Sequence, residues 1–149
     1  MDWAWIRKGL RDALVAYHAT EAWSSLAQGT DQLFAEVALE LKVPVRAVVP
    51  LGAYETFFDD DRALANYRRL LGQARRTDLE LHFPAERAFF EAGKFIVDHC
   101  EILVAVWDGK PAEGLGGTAD IVSYARGRGR QTIWLDPLRT QIHRGGAHL

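Results

Sequence analysis

The residues best placed to do chemistry are Gly116, Gly117 and Thr118. They follow Asp108 and Gly109 at the end of the apolar run Val104 to Trp107. Glycine lets a backbone approach a ligand closely, because no Cβ intervenes. A helix starting at Gly-Gly-Thr also offers unpaired N–H groups and the positive end of its dipole. Together these features make an anion site, most often for phosphate. The Thr118 hydroxyl could add a hydrogen bond to such a group or merely cap its own helix. Asp108 could accept from a sugar hydroxyl, although Asp108-Gly109 is also an ordinary turn pair.

A second segment has the same character. Ser24, Ser25, Gly29, Thr30 and Asp31 supply two hydroxyls, a flexible glycine and another helix start. Asp31 could accept from ribose hydroxyls or simply satisfy the dipole of its helix. In an open α/β sheet, ligands sit beyond the carboxyl ends of the strands. If the two strands are neighbours, both loops face one crevice, and one holds phosphate while the other holds sugar or base.

The rest of the chain must position these loops. Helical spacing of Ile6, Leu10, Ala13, Leu14 and Tyr17 predicts a first helix over 5–17. A short strand over 22–26 follows, then a helix N-capped by Thr30, then a strand over 43–51 entered by Pro44. Asp59, Asp60 and Asp61 open the next helix, and Arg75 and Arg76 suit its other end. A strand over 78–83, a helix over 85–99 and an apolar strand over 101–107 come next. A helix over 118–126 and a strand over 131–135 complete the series, closed by Asp136-Pro137. The alternation predicts an α/β domain with a mainly parallel sheet of about five strands and helices on both faces.

Composition narrows the function classes. The 149 residues fit one domain, read as 1–139, with 140–149 a frayed tail. The net charge of −2 supplies no basic field for nucleic acid. The lone Cys100 excludes a disulfide within the chain and reads as a small buried hydrophobe. No signal peptide or membrane-length apolar run stands out, so a reducing cytoplasm is the expected location. His143 and His148 lack companion ligands, so no metal and no cofactor are expected.

The two loops also resemble a known group of proteins. Ser24-Ser25-Leu26-Ala27-Gln28-Gly29-Thr30-Asp31 resembles the Ser-Gly-Leu-Ala-x-Gly-x-Asp motif of the DprA/Smf family. Trp107-Asp108-Gly109 followed by Gly116-Gly117-Thr118-Ala119 resembles the second motif of the SLOG superfamily. That superfamily joins DprA/Smf with the LOG cytokinin-activating hydrolases. The resemblance spans about 22–135 and implies a Rossmann-like three-layer sandwich. It also implies binding of nucleotides or nucleotide-derived signals, or hydrolysis of N-glycosidic bonds.

Three departures bear on function. Ser25 replaces a motif glycine. The chain begins at a helix, where the family has a strand ending in a glycine-rich turn. LOG hydrolases and nucleoside deoxyribosyltransferases place a glutamate three residues after the threonine, and Ile121 stands there here. Their chemistry needs a carboxylate at the anomeric carbon. Asp120 lies one position earlier, about 100° around the helix, and is the candidate substitute. Glu91, Asp98, His82 and His99 are further titratable groups, with Glu91 also spaced to pair with Arg87 or Lys94.

Three functions follow as expectations. The favoured one is a module binding a nucleotide or nucleotide-derived ligand, with a sensor role open. The alternative is a nucleoside monophosphate N-glycosidase or deoxyribosyltransferase-like enzyme acting through Asp120. The third is a ligand-free scaffold, dimerising through Trp3 and Trp5 as exposed apolar anchors.

Overall fold

The computed structural model describes residues 1–111 and 117–146. The chain opens with helix α1 (Trp3–Ala16), which buries Ile6, Leu10, Ala13 and Leu14. Asp2 caps it, accepting the Trp5 N–H at 3.0 Å. Strand β1 (Ala22–Ser24) and helix α2 (Thr30–Glu40) follow. Strand β2 (Val45–Val49) leads into a 3-10 turn at Tyr54–Phe57 and helix α3 (Asp61–Leu71), capped by Asp60. Strand β3 (Arg75–Asp78) and helix α4 (Ala85–Asp98) come next. Strand β4 (Ile102–Val106), helix α5 (Thr118–Gly127) and strand β5 (Gln131–Asp136) complete the expected alternation.

The α/β class holds, but the single sheet of about five strands does not. With a further strand β6 (Gln141–Gly145), the strands form two three-stranded sheets, ordered β1-β2-β3 and β4-β5-β6. All pairs in the first are parallel, as is β4 with β5. The division falls between β1 and β4. Among the described residues each pairs on one edge only, and both strands line one cavity. The core divides at the same place. One cluster gathers Leu26, Ala35, Val37, Tyr67 and Leu70 around β1 and β2. The other sets Ile6 and Leu10 of α1 against Ile133 and Leu135 of β5.

Two further expectations need correction. The third strand was expected over 78–83 but is Arg75–Asp78. It is a sheet edge with charged, mostly exposed residues, so no apolar run marks it. The expected frayed tail from 140 instead contains strand β6 (Gln141–Gly145), antiparallel to β5. All five of its residues are exposed, so hydrophobic patterning gives no signal for it. The buried Asp136 carboxylate holds the reversal, accepting N–H groups of Leu138 and Arg139 at 2.9 and 3.2 Å. His143 then packs on Trp134, ring centroids 4.4 Å apart.

Gly29, rather than Thr30, is the N-cap of α2. Its φ of 96° lies where side-chain-bearing residues are strained. Gly29→Ala should therefore cost about 1–3 kcal/mol of stability. Urea unfolding of the variant should show a lower midpoint with an unchanged slope.

Candidate functional site

The loop after β1 is fixed by a small polar network. The Ser24 hydroxyl accepts the Leu26 N–H at 3.0 Å and donates to the Asp31 carbonyl at 3.2 Å. Leu26 itself has φ 58°, an uncommon conformation for a bulky residue, and its side chain is fully buried. Buried Gln32 donates to the Leu26 carbonyl (3.2 Å) and to the Ala63 carbonyl (3.0 Å). Its own side-chain oxygen accepts from Asn66 at 2.9 Å. Every polar atom of Gln32's amide is thus used in tying the loop to α3, which holds Leu26 in place.

That loop and the start of α5 line one cavity of about 870 Å³. Ser24, Ser25, Thr30 and Asp31 contribute from one side, and Gly117 and Thr118 from the other. Both helices are glycine-capped with no side-chain cap bond, unlike α1 and α3. In α2 the Gln32 N–H donates to the Ala27 carbonyl at 3.3 Å, and in α5 the Asp120 N–H donates to the Gly117 carbonyl at 3.1 Å, so only the amides ahead of these two remain for solvent or ligand. Gly29 itself borders a separate shallow pocket with Gln28, Gln32 and Asn66. Gly116 lies outside the described residues.

Asp108 and Gly109 take a different place. The Asp108 carboxylate accepts the Lys110 N–H at 2.9 Å, and Gly109 has φ 86°. The pair forms a local turn packed near Trp134. Asp120 is half-buried in the first turn of α5, and its neighbour Ile121 is the residue on the cavity wall. The third position after Thr118 therefore faces the cavity with an apolar side chain.

Sequence reasoning missed the third wall. After β2 the chain carries Tyr54, Phe57 and Phe58, which line the cavity together with Phe89 of α4. Tyr54 packs edge-on to Phe58 and Phe89 at 5.4 and 5.8 Å. Phe57 packs edge-on to Phe89 at 5.2 Å and is 46% exposed. The Tyr54 hydroxyl donates to the Ser25 carbonyl at 3.0 Å, joining this wall to the first loop. The available signal was three aromatics clustered just beyond a strand's carboxyl end.

Electrostatics single out Asp31. Burial pushes its carboxyl up to about 6, partly opposed by the Ala27 backbone N–H. Burial, and then the Asp31 charge, also raise the Tyr54 hydroxyl. The other candidates are engaged elsewhere. Glu91 pairs with Lys94 at 3.0 Å, and Asp98 with Arg128 at 3.3 Å. His99 stacks on Phe95 and Trp23 at the amino ends of β1 and β4. Burial raises the Cys100 thiol to about 11, which keeps it protonated at neutral pH. His82 is exposed.

Chemically, the site offers main-chain donors, a carboxyl titrating near neutrality and an aromatic wall. Among the described residues no cluster could hold a metal ion. Among the described residues no helix is long and apolar enough to cross a membrane. No protein-family model and no curated protein matches the chain.

Asp31 should make stability depend on pH. An unfolded aspartate titrates near about 3.9, below the folded value, so the native state binds more protons between the two. This contribution is fully present below about pH 4 and is lost as pH rises through about 6. Asp31→Asn removes the penalty for the charged form. The variant should be more stable than the parent at pH 7 by about 3 kcal/mol, and equal to it below pH 4. Urea midpoints compared across pH 4 to 7 check this. A constant gap at every pH would contradict it.

Proposed function

We propose that the chain binds a nucleotide or nucleotide-derived ligand at the carboxyl ends of β1 and β4 and does not cleave it. The observation that carries this reading is the convergence of two glycine-capped helix starts, at Thr30 and Thr118, on one cavity. Phosphate oxygens would take N–H groups of Gly117 and Thr118, with the Thr118 hydroxyl as a further donor. Asp31, when ionised, would accept from ribose hydroxyls. Phe57 and Phe89 supply apolar faces and edges against which a base can pack.

The binding reading is preferred to the glycosidase reading because of Ile121. An oxocarbenium-like centre needs a carboxylate beside the anomeric carbon. The residue that the resemblance puts there is apolar and touches the cavity, whereas Asp120 is not among the residues of its wall.

Calorimetry with nucleoside mono- and diphosphates and with ADP-ribose-containing compounds tests the proposal. Binding without release of free base is expected. Folded protein that binds none of the panel would refute it, and base release lost in Asp120→Asn would favour the enzyme. Phe57→Ala should weaken a bound nucleotide by about 1 kcal/mol or more, the scale of one base–aromatic contact. An unchanged titration would remove Phe57 from the site.

A further inference from the structure

β1 and β4 each use one backbone edge and turn the other toward the same cleft. In β1, the Ala22 N–H donates to the Pro44 carbonyl at 2.9 Å, and Ala22 and Ser24 stand in register with β2. Backbone groups alternate sides along a strand, so the N–H and C=O of Trp23 point away from β2. In β4, the Trp107 N–H donates to the Leu135 carbonyl at 3.0 Å. By the same alternation Leu103 and Ala105 bond toward β5, while Ile102, Val104 and Val106 present their backbone groups on the opposite edge.

The two edges have the same direction. Trp23 stacks on His99, which precedes β4, with centroids 5.2 Å apart, so the amino ends lie together. The cavity runs from that end, at Glu21 and His99, to the carboxyl ends at Ser25 and Thr118. All of β1 and all of β4 line it, and so do apolar residues of the helices, Leu10 and Leu14 from α1 and Ile121 and Val122 from α5.

Its size fits one object. A five-residue strand spans about 17 Å, is spaced about 4.8 Å from its neighbours and sits in a layer roughly 10 Å thick, about 800 Å³ in all. The cavity measures about 870 Å³. Native interiors contain few voids larger than a water molecule. Ile102, Leu103, Val104 and Val106 are only half-buried here, although an apolar parallel strand is normally covered on both faces.

We propose that this cleft is a binding site for a further β-strand. The occupant is an extended polypeptide segment, apolar on both faces, lying parallel to β1 and β4. It would join the two sheets into one by bonding to Trp23 on one side and to Ile102, Val104 and Val106 on the other. Helices line the cleft on either side, which is why the segment must be apolar on both faces. Trp3 packs beside Gly29, so α1 starts near the carboxyl end of β1. A strand filling the cleft therefore ends close to the start of α1, and a probe can be tethered there. The strand and the ligand proposed above share this cavity, so a segment that fills it would displace the ligand.

The test uses the full chain and hydrogen exchange at the amides of Trp23, Val104 and Val106. One probe is a Val/Ile-rich segment of seven residues with lysines at its outer end, fused ahead of Met1. The control is a Gly/Ser segment of equal length, and a free peptide of the same Val/Ile sequence is the second probe. The apolar probes should slow exchange at these three amides at least tenfold and raise the melting temperature, and the control should do neither. A free peptide N-methylated at alternate residues should lose the effect, because it cannot form the ladder. Slow exchange at these amides in the unmodified chain would mean that β1 and β4 already pair, and would overturn the proposal. So would an unresponsive cleft, or an N-methylated peptide that works as well as the parent, since that would mark simple apolar filling.

Discussion

Backbone pairing is the constraint on which the rest of this structure turns. A strand buried within a sheet must satisfy N–H and C=O groups on both sides, since each one left unpaired away from water costs about 1–3 kcal/mol. Among the described residues, β1 has three residues and bonds only to β2, and β4 bonds only to β5. From that single fact follow the two sheets, the divided core and the half-exposed apolar face of β4. Phe34 and Leu33 of α2 pack against both core clusters. The two halves are therefore joined through helices where an ordinary α/β domain is joined through its sheet.

The same arrangement creates the candidate site. The carboxyl ends of β1 and β4 are held apart, so the loops that follow them face each other across open space. Holding them open requires rigid loops. The Ser24–Gln32–Asn66 network supplies that rigidity by fixing Leu26 in a left-handed conformation and anchoring the turn to α3. Tyr54 adds a second anchor through the Ser25 carbonyl. Ser24, expected as a ligand-facing hydroxyl, thus has its hydrogen-bonding capacity directed into the loop itself.

Much of this was legible in the sequence, for identifiable reasons. Helices with apolar stripes, such as Ile6, Leu10, Ala13 and Leu14, declare themselves through spacing, although α3 stops at Leu71 and the arginines expected at its end, Arg75 and Arg76, open β3. The two glycine-bearing loops were legible because glycine before a helix start has few other uses. Three things were not. β3 and β6 are polar edge strands whose partners are backbone groups, so side-chain patterning is silent about them. The break between β1 and β4 is a matter of long-range pairing, which periodicity does not encode. The aromatic wall was hidden because Tyr54, Phe57 and Phe58 fall between the strand over 43–51 and the helix opened by Asp59, and only the fold brings Phe89 to them.

The position of Ile121 bears on more than catalysis. Its side chain packs so closely on α4 that a Cβ added at Gly93 would fall 2.4 Å from its Cδ1. Ile121 therefore occupies space that Gly93 leaves open, and the two residues form one matched contact between α5 and α4. A glutamate at 121 would give up the branched contact that Ile121 makes beside Gly93. The packing of α4 on α5 and the apolar side chain on this part of the wall are thus linked through Ile121. Placing a carboxylate at this position would alter the helix contact as well as the wall.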